Sequence, residues 1–310
     1  MPALIDLRRR IRSVRNTQQV TKAMKTVATA KYKKTHRAVI EGRPFWHAGP
    51  GLVARFAQWA GPGAHPLFES RRERRFHVLV ITTDKGLCGA FNSNLLAEVH
   101  AFLAGKAPAE PRLVLIGKKA ANHFRRQPWP IERAVVEHSD RLGTEFLRDL
   151  ARDLMRAFLL RQTDAVYLAH NEFRSILAPR ILITKILPAT RGLELAGYAA
   201  AGGVAGPAPL HTYAPPPVSP EPGFPPGWTP DAAAALEGFV PRQVEERLLH
   251  AYAESQAAEQ AARMMAMESA SQNAEELIGD LTLVLNKIRQ SGITKELLEI
   301  MTAVEALKPQ

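Results

Sequence analysis

Apolar positions at both ends of the chain recur at helical spacing over unusual lengths. From Ala3 to Arg43 there is no proline and a single glycine, Gly42, and Leu4, Leu7, Ile11 and Val14 follow one another at steps of 3, 4 and 3. Val20, Met24 and Val27 resume at steps of 4 and 3 after a break in phase. This is a coiled-coil seam with a discontinuity, and at 1.5 Å per residue it predicts a rod of roughly 60 Å. The other end is longer still, because Arg242 to Lys308 contains no proline and just two glycines, Gly279 and Gly292. As one helix it would reach roughly 100 Å. Leu277, Leu281, Val284 and Ile288 form one seam, while Ile293, Leu297, Ile300, Val304 and Leu307 form a second, with the phase slipping at Ser291-Gly292.

Between residues 254 and 274 the C-terminal pattern thins to ESQAAEQAARMMAMESASQNA, with no Leu, Ile, Val or aromatic residue. An Ala and Met surface admits a neighbouring helix closely but buries little area per residue. A helix of this kind needs a partner along its length, and its acidic residues read as a solvated face. Charge identifies the partner. Residues 1–40 carry eleven Lys and Arg against one acid, Asp6, whereas residues 241–310 carry seven basic and eleven acidic residues. Antiparallel pairing of the two ends follows, with the middle of the chain inserted at one end of the rod.

The middle alternates strand and helix patterns. RFHVLVITT (75–83), RLVLIG (112–117), IERAVVE (131–137) and DAVYLAHN (164–171) read as strands, with helices at 92–104, 118–126 and 142–162 between them. RILITKILPA (180–189) reads as a closing strand. Alternation at this spacing predicts an α/β fold with a mostly parallel sheet. The expected organisation is an N-terminal coiled-coil helix over 1–60, a Rossmann-like domain over 70–198, a proline-rich loop over 199–232 and a C-terminal coiled-coil helix over 240–308. Glycine and proline in WHAGPGLVARFAQWAGPGAHP (46–66) are expected to break the first rod, and ten prolines between 207 and 230 predict a surface loop.

Composition excludes several classes of chemistry. One cysteine in 310 residues rules out an internal disulfide framework and a cysteine-cluster metal site, and no run is long and uncharged enough for a membrane-spanning helix. The net charge of +11 leaves open a basic coiled coil that follows a nucleic-acid backbone, although the N-terminal helix has one aromatic residue, Tyr32, and so no stacking platform. An organelle-targeting role is disfavoured because the helical pattern continues past residue 30.

Candidate chemistry concentrates in TTDKGLCGAFN (82–92), where a strand pattern runs into a glycine-bearing turn. Neither GxxxxGK[ST] nor GxGxxG is present, so Gly86 and Gly89 read as a tight turn rather than a phosphate cradle. Cys88 as a nucleophile needs a positioned base, and the spacing of His77, His100, His123 and His138 singles out none. A small buried thiol is the expectation. The histidines form no HExxH, and no cofactor or metal site is expected.

Three long blocks carry a family resemblance. RRRIRSVRNTQQVTKAMKTVATAKYKK (8–34), TTDKGLCGAFNSNL (82–95) and ESQAAEQAARMMAMESASQNAEELI (254–278) with LNKIRQSGITKELLEIMTAVEAL (285–307) resemble, in order, the gamma chain of F-type ATP synthases. The resemblance implies an antiparallel coiled coil of the terminal helices with a Rossmann-like domain at its foot. It further implies a non-catalytic rotor shaft inside a ring of alpha and beta subunits, whose foot binds the epsilon subunit and a membrane ring of c subunits. Such a chain is peripheral, on the cytoplasmic face of a bacterial inner membrane. By the same resemblance Arg289 and Gln290 hydrogen-bond to an acidic loop of one beta subunit, with Thr294 close by. Met24 faces the catalytic subunits, and Lys85 meets the acidic hinge-proximal loop of beta. The alternative function is a basic coiled-coil nucleic-acid-binding protein, and a third reading is an α/β enzyme using the Cys88 loop.

Overall fold

A computed structural model describes residues 2–61, 63–176, 179–189 and 232–306. Nearly all of the proline-rich 199–232 segment therefore lies outside the described residues. In chain order the elements are α1 (Pro2–Ala60), a single 3-10 turn (Pro66–Phe68), β1 (Arg75–Ile81), α2 (Phe91–Gly105), β2 (Glu110–Ile116) and α3 (Lys118–Phe124). There follow β3 (Ile131–Val135), α4 (Thr144–Leu159), β4 (Ala165–Glu172), β5 (Arg180–Leu187) and α5 (Ala232–Ala306). The chain divides into two compact units, Met1–Ala30 with Arg263–Gln310, and Lys31–Ala262.

The second unit is built on a five-stranded sheet ordered β3-β2-β1-β4-β5. β1, β2, β3 and β4 run parallel and β5 closes the edge antiparallel to β4. Strand β1 shows why its sequence is a continuous apolar run: Phe76, Val78 and Val80 join a core with α2 and α3, whereas Leu79 and Ile81 join the opposite core with α4. A central parallel strand is covered on both faces, so it has no polar side to alternate with. Helix α4 contributes Leu147, Leu150, Leu154 and Phe158 at steps of three and four to that second core.

The break expected from glycine and proline in 46–66 comes only after Ala60. Helix α1 continues through Pro44 and Pro50 to Ala60, and α5 begins at Ala232 and continues through Pro241. The reason lies in burial. Val53, Phe56 and Ala57, and on α5 Leu236, Val240, Val244 and Leu248, are all packed into the α4 side of the core. Fully burying an aliphatic or aromatic side chain is worth about 1.5–3 kcal/mol, so the α5 stripe outweighs the roughly 3 kcal/mol cost of Pro241, and burial of Val39, Val53 and Phe56 on α1 is comparable to the roughly 6 kcal/mol cost of its two prolines.

The first unit is an antiparallel helix pair. Thr21 and Ser271 hydroxyls lie 2.7 Å apart, the Gln18 amide donates to Glu275 at 3.4 Å, and Lys25 pairs with Glu268. From Gln18 to Lys25 seven residues down α1 are matched by seven up α5, from Glu275 to Glu268, which fixes both direction and register. The apparent phase break in α1 is therefore a change of chemistry, not of geometry. After Leu4, Leu7, Ile11 and Val14 the seam proceeds through Gln18, Thr21, Lys25 and buried Ala28, in unbroken steps of three and four. Val20 and Val27, expected on the seam, point outward and are 57% and 58% exposed.

One glycine is dictated by close approach. Gly117, between β2 and α3, has φ +100°, and a Cβ there would sit 2.4 Å from the Thr82 carbonyl oxygen. Gly117→Ala is expected to destabilise this unit by about 2–3 kcal/mol, from backbone strain and the displaced β1 end. Urea unfolding checks it, and an unchanged midpoint contradicts the packing described.

Candidate functional site

In a doubly wound sheet, ligands bind at the carboxyl ends of the strands where the strand order reverses. Here that point lies between β1 and β4, and helices α1 and α5 fill it. Val39 of α1 and Ala257, Ala258 and Ala261 of α5 pack with Cys88, Phe91 and Phe173 in one buried cluster. Tyr32 and His36 add ring contacts to Phe173 at 5.6 and 5.2 Å between centroids. The alanines that make α5 thin in sequence are what allow it to enter the crevice. Cys88 is a free, buried thiol in this cluster and accepts a hydrogen bond from Asn92 at 3.2 Å.

Short polar bonds hold the 82–90 loop. Asn92 accepts from the Thr83 amide at 3.2 Å and donates to the Thr83 hydroxyl, which itself donates to the Lys85 carbonyl at 2.6 Å. Asp84 clips the loop to two others by accepting the amides of Lys118 and Ser139, both at 2.8 Å. Burial would raise the Asp84 carboxyl, but the amides of Ser139 and Lys118, with further bonds from the Ser139 side chain and the Glu137 backbone, outweigh it and hold the group below its ordinary value. Lys85 itself is exposed at the turn.

A second polar centre ties both long helices to the end of β4. Glu254 of α5 is buried, and it accepts the Phe173 amide at 2.6 Å, Arg43 of α1 at 3.2 Å and His250 at 3.1 Å. Arg43 also donates to the Phe173 carbonyl at 2.9 Å, and Trp46 stacks on His250 at 4.3 Å. Burial pushes the Glu254 carboxyl up, and the bonds from His250 and Arg43 more than reverse it. The expectation that the acids of this helix form a solvated face therefore fails at Glu254, and also at buried Glu245 and Glu259.

His170 on β4 is buried beside this centre and is pushed down to about 3 by burial and then by His250, with Glu254 opposing. It stays neutral in the folded chain, whereas an unfolded imidazole titrates near 6.5. Only the unfolded state takes up that proton between about pH 6.5 and 3, so stability falls on acidification through this window. Urea unfolding at pH 7 and pH 5 should differ by about 2 kcal/mol from this group. Equal stabilities at the two pH values contradict a buried neutral His170.

The remaining sequence-predicted residues lie on the helix pair. Arg289, Gln290 and Thr294 are exposed on α5, and the Thr294 hydroxyl donates to the Gln290 carbonyl at 3.0 Å. Met24 is half-buried on α1, beside the Lys25–Glu268 pair and about twenty residues of helix from Arg289. The first three thus form one group, Met24 a separate one, and Lys85 belongs to the other compact unit.

Sequence reasoning missed a broader surface. The pairing register sets Pro2 opposite the neighbourhood of Ser291, so the last turns of α5 extend past the end of α1. There Ile293, Leu297, Leu298, Ile300 and Met301 are exposed, Met301 at 67%. The seam predicted from Ile293 onward exists as a stripe, but α1 does not cover it. Val20 and Val27 are exposed separately, farther along α1. The signal was present in the lengths of the two helical patterns, because α5 is too long for the partner the chain provides.

A sequence model of the family described as ATP synthase matches residues 3–307. The ATP synthase gamma chain of Desulforudis audaxviator is 38% identical over 308 residues, covering 99% of this chain and all of that one. That of Anaeromyxobacter dehalogenans is 37% identical, with 99% and 100% coverage. Among solved structures, a chain of the Euglena gracilis mitochondrial ATP synthase superposes with a TM-score of 0.65 at 19% identity, covering 99% of this chain and 95% of that one. A chain of the Tetrahymena thermophila mitochondrial ATP synthase central stalk and c-ring gives 0.58 at 22% identity, covering 81% of this chain and 99% of that one.

Proposed function

The chain belongs to the ATP synthase family, as one of its gamma chains, and from that premise we propose how each of its surfaces is used. A gamma chain is the central-stalk rotor subunit of an F-type ATP synthase. The relatives lend no support to the nucleic-acid alternative.

In the proposed arrangement the helix pair turns inside a ring of alternating alpha and beta subunits, and the α/β unit meets the epsilon subunit and the membrane ring of c subunits. Among the described residues no helix is long and apolar enough to cross a membrane. Attachment then runs through partners, at the cytoplasmic face of a bacterial inner membrane. This chain supplies no catalytic group, and the nucleotide chemistry belongs to the ring.

The observation that supports this best is the uncovered apolar end of α5. Monomeric surfaces rarely carry large contiguous apolar patches, so one on a projecting helix marks a surface another protein covers. Around it Arg289 and Gln290, with Thr294, supply the polar contacts to an acidic loop of one beta subunit. Met24 faces the ring lower on the shaft, and Lys85 meets the acidic hinge-proximal loop of beta.

An asymmetric helix pair presents a different surface to each catalytic subunit as it turns. Each subunit is biased among its states by the difference in those contacts, since a partner shifts a conformational equilibrium only by its differential affinity. Coupling the two motions requires contacts that break as readily as they form. The polar, small-residue stretch around Thr21 and Ser271 suits this better than a leucine face would.

A charge placed on the apolar stripe tests the proposal. Leu297→Asp with Ile300→Asp is expected to reduce recovery of the chain with alpha and beta subunits by roughly tenfold or more, while helix content by circular dichroism is unchanged because both side chains are already exposed. Undiminished recovery contradicts the assignment.

A further inference from the structure

At the amino ends of the strands, the last turn of α4 and the segment leading into β1 form one face. Leu159 and Leu160 stand side by side there, 46% and 61% exposed. Hydrogen bonds hold them in place. The Leu160 and Gln162 amides donate to the Arg156 and Ala157 carbonyls, both at 2.9 Å, and the Arg161 amide donates to the Phe158 carbonyl at 3.1 Å. Arg161 takes φ +58° to close the turn, and Arg75 donates to its carbonyl at 2.9 Å. Arg71 lies 4.5 Å from the centre of the buried Phe158 ring and donates to the Phe158 carbonyl at 2.9 Å. The two leucines are therefore presented by an ordered turn rather than by a fraying helix end.

Arginines surround them. Arg72, Arg74 and Arg75, ahead of β1, and Arg156, in the last turn of α4, are exposed and form no ion pair among the described residues. The acids of the face are mostly engaged. Arg71 holds Glu69 at 2.6 Å, Lys106 and Lys185 hold Glu73 at 2.7 and 2.5 Å, and the Asp164 carboxylate accepts the Arg74 and Arg75 amides at 3.0 and 2.9 Å. Glu110, beside Arg75 in the β1–β2 register, is exposed. The face thus keeps an excess of positive charge around an apolar pair.

That combination fits an anionic lipid surface, which attracts each nearby arginine and admits short apolar side chains between its headgroups. A protein partner would instead bury a shaped, largely apolar centre, and two leucines ringed by solvated arginines make a small one. The position agrees. The chain passes between the two compact units at Ala30–Lys31 and Ala262–Arg263. Close to those crossings Tyr32 packs on Phe173, just beyond β4, and Ala261 clusters with Cys88, beyond β1, at the carboxyl ends of the strands. The amino-end face is the side of this unit away from both crossings. With the helix pair inside the ring, that side is left for the membrane.

We infer that this face rides on the anionic headgroups of the membrane, with Leu159 and Leu160 entering the headgroup layer and Arg72, Arg74, Arg75 and Arg156 pairing lipid phosphates. The inference rests on the shaft reading above and adds a lipid contact to it, while attachment still runs through protein partners. Contacts to a fluid layer exchange freely, so they steady the α/β unit without stopping its rotation.

The experiment is photocrosslinking in the complete synthase, reconstituted into vesicles of phosphatidylcholine and phosphatidylglycerol, with a photoreactive phenylalanine analogue at position 160 in one preparation and at position 297 in another. Position 160 is expected to crosslink to phosphatidylglycerol. Arg72→Gln with Arg74→Gln and Arg156→Gln is expected to lower that yield by roughly fivefold or more. An undiminished yield in this triple variant, or an equal lipid yield in vesicles of phosphatidylcholine alone, contradicts recognition by charge and overturns the inference. Crosslinks at 160 to a protein subunit only, or none there, with ring crosslinks at 297, overturn the lipid contact and leave the shaft reading intact. Lipid crosslinks at 160 without ring crosslinks at 297 support the lipid face and count against the shaft reading. No crosslinks from either position overturn both.

Discussion

Glu254→Ala is expected to destabilise the α/β unit by about 3 kcal/mol, through two consequences that combine. The Phe173 amide, which donates to Glu254 at 2.6 Å, is left without that acceptor in a buried setting, at a cost of about 1–3 kcal/mol. Arg43 and His250 lose the carboxylate they share, and removing one partner of a buried pair costs more than the pair contributed. Partial exposure of the Arg43 side chain, 30%, keeps the total below the extreme of that range. Glu254→Gln retains an acceptor for the amide but no charge, so an intermediate loss is expected. Urea unfolding of the purified variants measures both. Equal losses for Ala and Gln would mean that the charge carries the whole effect and the retained acceptor adds nothing, and no loss for either would contradict the hub.

The second large effect concerns coupling rather than folding. Arg289 and Gln290 are exposed on α5 and pack against nothing that the helix pair needs, so replacing both by alanine should leave the fold intact. In the assembled complex each is proposed to bond an acidic loop of beta. A hydrogen bond to a charged group is worth about 1.5–3 kcal/mol. If the pair acts in the rate-limiting transition, its loss slows ATP turnover by roughly tenfold or more. The expected pattern is lowered turnover with normal assembly and normal helix content. Wild-type turnover in a fully assembled double variant would contradict the assignment.

Periodicity made the fold legible. The inner strands β1 and β4 are continuous or near-continuous apolar runs because the sheet is covered there on both faces, and the helices between the strands carry three-and-four spacing. What it hid has a common cause. Pro50 reads as a break because local cost is visible in sequence while the burial of Val53 and Phe56 that overrides it is not. The break at Val14 to Val20 had the same origin: the seam continues through Gln18 and Thr21, which bond Glu275 and Ser271 across the interface and carry no hydrophobic mark.

The site divides in the same way. Lys85, Met24, Arg289, Gln290 and Thr294 were named through resemblance, and no spacing rule would have found them. Glu254 escaped because an acid in an Ala-rich helix looks solvated until another helix and a strand end are seen to close around it. TTDKGLCGAFN has the outline of a ligand turn, and the crevice it borders is filled by the chain's own terminal helices.

Rotation tests the central claim most directly. With the ring fixed to a surface and a probe attached to the α/β unit through a cysteine introduced at exposed Arg126, adding ATP should drive stepwise rotation of the probe in one direction. A probe that stays still while the complex hydrolyses ATP would contradict the role of this chain as the turning shaft.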